Sequence, residues 1–356
     1  MRKLFVLRPE RSRCSNPQLR GYQTQGCGLA PIPEPSSIRS IDGKAVRCKQ
    51  VVALAPQLKL VDRPPIHALV SRRKDLHKAK VIKLHLCGQD LPAGAFSRIS
   101  DDVLVASPAL CLLHAAQRAG AGRLLPLIEL CMELLGGYSL CTVTRRGFRQ
   151  HEPFLCRDDL QTFIESLPPN TRGSRLLAEA AGYALPQSWS PRETASSLML
   201  TLPEELGGFA FPHPKLNAPA EIADEYRPFT DAHGFFLDLS WPGTNVVLEY
   251  DGDDHLDPER ISEDKARRNL LATMGYRLIV LEKTHAADTR LFNQQIGQLA
   301  KLLGITLEPL PEKQADMRTS LRRYLFNPRH LELWAFAKPI QLLPEDESVD
   351  SAMEKH

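Results

Sequence analysis

A chain of 356 residues, 43% hydrophobic and 24% charged, has ordinary globular composition and length for two domains, which excludes wholesale disorder. Its net charge of +3 hides an asymmetry: residues 1–90 hold 18 Lys and Arg against 6 Asp and Glu, leaving the other 266 residues at −9. A basic first quarter ahead of an acidic body points to a polyanion partner, nucleic acid foremost, although a solubilising basic surface carries the same charge.

The most apolar stretch, Val103 to Gln117, is broken by Ser107, Pro108 and His114 before it reaches the ~18 residues of a membrane span. Arg8, Glu10, Arg11 and Arg13 cut the opening apolar run short, so no secretory signal is expected. All eight cysteines lie between Cys14 and Cys156, and no two form a C-x-x-C pair. A reduced, cytoplasmic protein is the simplest reading, with a cysteine metal site the minor one.

In chain order, residues 1–50 are rich in Pro, Gly, Ser and Gln and are expected to form a loosely structured basic segment. From Val51 to Leu86, apolar clusters alternate with basic ones, Arg72, Arg73 and Lys74 among them, and Lys80 to Leu86 reads as a strand. Ser107-Pro108 is a cap followed by proline at the first helical position, opening a helix to Arg118. Leu124 to Leu135 continues at helical spacing as far as Gly136-Gly137. Two short helices follow, Asp158 to Leu167 and Arg175 to Ala181. Residues 51–185 are thus expected to form a small, mainly helical domain without a catalytic constellation.

Ser190-Pro191-Arg192-Glu193 is a capping box that opens a second unit, expected over 186–305. Strands are expected near Lys215 to Ile222, Phe235 to Trp241 and Asn245 to Asp251. A charged helix (Pro258 to Met274), a strand (Tyr276 to Glu282) and an amphipathic helix (Thr289 to Leu303) complete the unit. The order is α-β-β-β-α-β-α, a mixed α/β (α+β) unit. Residues 306–356 are assigned to a helical extension and an acidic tail.

Pro242-Gly243-Thr244 is a strong turn signal between two apolar strands. A turn centred on Gly243-Thr244 sets Trp241 opposite Val246 and Asp238 opposite Glu249, with Asp251 on the face of Glu249. Three acids on one patch repel one another, and a divalent cation such as Mg²⁺ is the usual solution. Solvation of the acids, or pairing with Lys265, Arg267 or Arg268, is the competing explanation.

The runs Leu237-Asp238-Leu239-Ser240-Trp241-Pro242 and Val247-Leu248-Glu249-Tyr250-Asp251-Gly252, with His255, Asp264-Lys265-Ala266-Arg267 and Gly275-Tyr276-Arg277-Leu278, resemble the PD-(D/E)XK nuclease superfamily. Within it the similarity is to the very-short-patch-repair (Vsr) branch, over about residues 188–285, of the kind found in AbiEi-antitoxin-like bacterial proteins. The resemblance implies a restriction-endonuclease-like αβββαβ core behind a mainly helical, basic N-terminal domain, DNA as substrate, and Mg²⁺ or Mn²⁺ as cofactor. It further implies Asp238 and Glu249 as metal-binding acids, assisted by Asp251, with Glu193 as the helix carboxylate that many members add. The superfamily's lysine is replaced by Asp251, so Lys265, Arg267 and Arg268 become candidates for stabilising the developing phosphorane charge. His255, four residues after Asp251, is the expected proton carrier. Two functions are compatible with these residues: a metal-dependent DNA endonuclease serving repair or phage defence, or an antitoxin-like DNA-binding regulator using the same fold. A toxin or other protein partner is left open.

Overall fold

Ser107 opens the first long helix as its position before Pro108 predicts, its Oγ accepting from Leu110 N–H at 3.2 Å. That helix is α1 (Pro108–Arg118), and α2 (Leu124–Leu135) follows. The computed structural model describes residues 66–327 except 71–72, 77–81, 88–89, 101–102, 119–123, 141–145 and 253–257. The expected basic segment 1–50, the acidic tail, Arg72 and His255 therefore lie outside the described residues. The protein is a mixed helix-and-strand fold that divides into two units, 66–131 with 154–182 and 132–153 with 183–327.

The first unit contains a parallel pair, β1 (Ile66–Val70) and β2 (Ile82–Leu86), and an antiparallel pair, β3 (Phe96–Ser100) and β4 (Val103–Ala106). It also contains α1, the first two turns of α2, α3 (Arg157–Glu165) and α4 (Ser174–Tyr183). Leu110, Leu112, Leu113, Ile128, Leu160 and Leu177 are fully buried in it. Burial at this level is worth about 2 kcal/mol per leucine or isoleucine side chain. Among the described residues no helix is long and apolar enough to cross a membrane.

The second unit begins with the hairpin β5 (Tyr138–Leu140) and β6 (Phe148–Gln150), a segment expected to belong with the helical domain. Hydrogen bonding explains the difference. Gly137 N–H donates to the Ser188 carbonyl at 2.7 Å, and the Tyr138 hydroxyl lies 3.0 Å from Thr194 Oγ1, which lies 2.8 Å from Ser188 Oγ. Ser188 gives its own proton to the Ser190 carbonyl, so Thr194 donates to Ser188 and Tyr138 to Thr194. This one-way chain fastens the hairpin to the start of α5 (Pro191–Thr201), which is capped by Ser190 as expected.

After α5 come β7 (Lys215–Glu221), β8 (Gly234–Trp241) and β9 (Val246–Asp251), an antiparallel meander, then α6 (Pro258–Thr273) and β10 (Arg277–Glu282). The sheet order is β10-β9-β8-β7, and β10 runs parallel to β9 because a helix, not a turn, connects them. A short helix, α7 (Lys283–Ala287), then α8 (Thr289–Leu303) and α9 (Glu312–Leu325) complete the unit. Ala220, Leu237, Val247 and Leu271 form an apolar cluster joining sheet to α6, with Phe235, Tyr276 and Leu278 packed on it. On α8, Phe292, Ile296, Leu299 and Ala300 recur at helical spacing and are buried against β9 and β10.

Candidate functional site

The β8–β9 turn puts Gly243 at φ 79° and Asn245 at φ 55°, left-handed positions that glycine and asparagine tolerate. Trp241, Ser240 and Leu239 then pair with Val246, Val247 and Leu248, which carries Asp238 to the level of Glu249 as the turn chemistry predicts. The regular ladder stops one step short of the two acids. Beyond it, Asp238 Oδ2 accepts from Tyr250 N–H at 2.9 Å, so a side-chain oxygen replaces the backbone acceptor where the carboxylates crowd. Burial first, then the Glu193 and Glu249 charges, push the Asp238 carboxyl up to about 8, against the pull of Tyr250 N–H and Arg267.

Glu249 is 5% exposed. Arg267, on α6, donates through Nη1 to its Oε2 at 2.9 Å and through Nη2 to the Phe236 carbonyl at 2.7 Å. Nη2 also comes within 2.7 Å of Glu249 Oε1 without hydrogen-bond alignment, and that buried oxygen receives no hydrogen bond. Arg268 pairs instead with Asp251, Nη2 to Oδ2 at 2.5 Å, with both groups about one-third exposed. Asp264, four residues before Arg268 on the same helix, contributes its charge to Arg268.

Glu193 sits in the first turn of α5, 7% exposed. Its Oε2 accepts from Trp189 N–H at 2.7 Å and from Asn217 Nδ2 at 2.5 Å. Burial raises its carboxyl above the usual range, opposed by these donors and by Ser190. The Trp189 ring packs at a tilt against Phe236, centroids 4.7 Å apart, and the Phe236 carbonyl holds Arg267, so α5 and α6 meet the sheet at neighbouring points.

The structure therefore brings Glu193, Asp238, Glu249 and Arg267 into one electrostatic group, with Asp251 and Arg268 beside it. Lys265 is exposed on α6, and among the described residues Arg267 and Arg268 are the cations of that helix that reach the acids. Arg73 and Lys74, which with Arg72, Arg267 and Arg268 are the residues expected to contact nucleic acid, are exposed in a 3₁₀ turn of the first unit. Asn217 went unnoticed in the sequence, although an asparagine two residues before a proline in an otherwise apolar strand is an irregularity that invites inspection.

Among the described residues, no group of three or more His, Cys, Asp or Glu side chains is close enough to hold a metal ion. A pair of carboxylates suffices for a hard cation that keeps several waters and takes its other ligands from a substrate phosphate. The residues present fit that role: Glu249 Oε1 is buried beside Arg267 without an aligned hydrogen bond, and the Asp238 carboxyl, raised by burial and then by the Glu193 and Glu249 charges, is near it. Asp238 and Glu249 are the two that would hold such an ion. The chain matches no protein-family model, no curated protein and no solved structure.

Proposed function

We propose that the second unit is a metal-dependent phosphodiester hydrolase acting on DNA, built on a restriction-endonuclease-like αβββαβ core and using Mg²⁺ or Mn²⁺. The observation that carries the reading is the buried Asp238–Glu249 pair, crowded by Glu193. Asp238 and Glu249 would hold a divalent cation, which would supply charge to polarise a phosphoryl oxygen and activate water.

The chain's own residues orient that pair. Tyr250 N–H fixes Asp238, Arg267 fixes Glu249 from the Phe236 carbonyl, and Trp189 N–H and Asn217 fix Glu193. Arg268, one-third exposed and shared only with Asp251, is the guanidinium with a face left for a phosphate. It takes the electrostatic part that the superfamily gives to its lysine. His255 is assigned the proton transfer from water, and the basic N-terminal segment is assigned sequence-independent grip on the phosphates.

The test is incubation of the full-length protein with plasmid, nicked, mismatched and single-stranded DNA, in Mg²⁺ or Mn²⁺ against EDTA. Wild type should cut at least one of these, and Asp238→Asn/Glu249→Gln should cut none. Equal cutting by both preparations marks a contaminant. No cutting of any substrate transfers the assignment to the second reading, an antitoxin-like DNA-binding regulator. One observation favours that reading: Arg267 already supplies a cation to Glu249.

A further inference from the structure

We infer that Asn217 is the positioning residue that holds Glu193 beside Asp238, so that the helix carboxylate is a member of the site and not only part of a helix cap. The catalytic consequence rests on the nuclease reading; the hold itself does not.

Asn217 has φ 47° in the interior of β7, where an L-residue ordinarily stays extended. The pairs on either side, Leu216 with Leu239 and Ala218 with Leu237, set Asn217 at the level of Asp238 on the neighbouring strand. The strand is thus kinked next to the acid that the site depends on. Asparagine tolerates a left-handed φ as a single residue, but inside a strand it interrupts the extended run.

The amide shows what the kink achieves. Asn217 Nδ2 donates to the Gln187 carbonyl at 2.8 Å and to Glu193 Oε2 at 2.5 Å, using both of its protons. Gln187 is itself left-handed, at φ 66°. Two left-handed residues, 30 apart in sequence, therefore meet at one amide that bonds one carboxylate. A capping box needs only that the N3 glutamate reach the backbone at the helix start. It explains neither why this glutamate is 7% exposed nor why a strand kinks to bond it.

Glycine adopts φ 47° without strain, so Asn217→Gly removes the amide and spares the backbone. Asn217→Asp keeps the size and the left-handed tolerance but presents an acceptor to Glu193 in place of a donor. Two measurements on the full chain decide the matter. In plasmid cleavage with Mg²⁺, Asn217→Gly should melt within a few degrees of wild type while kcat falls about tenfold or more with KM for DNA unchanged, as for other residues that orient a metal-binding set. In carbodiimide labelling read by mass spectrometry, Glu193 should be protected in wild type and modified about tenfold faster in Asn217→Gly, with exposed Glu205 as the internal reference.

A folded Asn217→Gly that keeps wild-type kcat and a protected Glu193 overturns the inference. If Asn217→Gly does not fold, the same labelling on Asn217→Asp decides it, faster Glu193 modification supporting the hold and unchanged protection overturning it. If wild type cuts no DNA, the nuclease reading fails alone, and labelling still supports or overturns the hold.

Discussion

With burial and the Glu193 and Glu249 charges holding its carboxyl up to about 8, Asp238 favours the folded state when protonated. The sign follows from proton binding. Between the ordinary carboxylate value and 8 the folded protein binds more protons than the unfolded one, so this contribution is complete below about pH 4 and lost as pH rises to about 8. Metal-free thermal melts should therefore show wild type losing roughly 3–4 kcal/mol relative to Asp238→Asn between pH 5 and pH 8. At pH 8, added Mg²⁺ should raise the melting temperature of wild type and leave that of Asp238→Asn unchanged; parallel pH curves for the two proteins would show Asp238 ionised throughout. Arg267 is the complementary case. Arg267→Met strands Glu249 as a buried, uncompensated charge and should cost about 3 kcal/mol in chemical denaturation, whereas Arg267→Met with Glu249→Gln should recover most of it. The acids were legible in the sequence because three of them interrupt two apolar strands. Pairing with Arg267 and Arg268 was legible too, but not that Lys265 stays out of it, since residues two apart on a helix point about 200° apart and only packing decides which face meets the sheet. For that reason Lys265 looked as suitable as Arg267.

The hairpin β5–β6 depends on the absence of a side chain at Gly137. A Cβ there would lie 2.7 Å from the Trp189 ring and 3.0 Å from the His151 carbonyl, and Trp189 cannot swing away without leaving Phe236. Gly137→Ala should cost about 2 kcal/mol by overpacking, measured in urea unfolding, and should alter the Trp189 fluorescence. An unperturbed Gly137→Ala would mean that the hairpin is not clamped to α5. Longer elements were readable because each carries its own period and punctuation: Ser107-Pro108 before α1, Ser190-Pro191 before α5, Pro242-Gly243-Thr244 between β8 and β9. The strands of β5–β6 are three residues each, too short for any alternation to register. What fixes them is a hydroxyl chain from Tyr138 to Ser190 that spans more than 50 residues of sequence.

Charge is divided along the whole chain in a way that can be tested by truncation. Residues 1–65 contain 12 Lys and Arg against 4 Asp and Glu, and the sheet, α5 and α6 that carry the acids all lie beyond them. Deleting 1–65 should weaken DNA binding and reduce the slope of log affinity against log salt, because fewer counterions are released. An unchanged slope would show that the segment does not meet the phosphates. The α-β-β-β-α-β order was readable from sequence, since alternating strands and periodic helices announce themselves. The division into units was not, because residues 132–153 join the second unit through hydrogen bonds that leave no local pattern.

The kink at Asn217 also bears on how copies of the protein behave towards one another at high concentration. β7 is an outer strand of its sheet, and an outer strand that is straight and apolar is a template for another chain's backbone. In β7 the left-handed Asn217 breaks the run of bonding groups, Pro219 has no N–H to offer, and Lys215 and Glu221 place exposed charge at either end. The irregularity that serves the carboxylates therefore also blunts the sheet margin against edge-to-edge growth. Straightening β7 with valine at 217 and 219 should raise the tendency to associate at high concentration, read by light scattering.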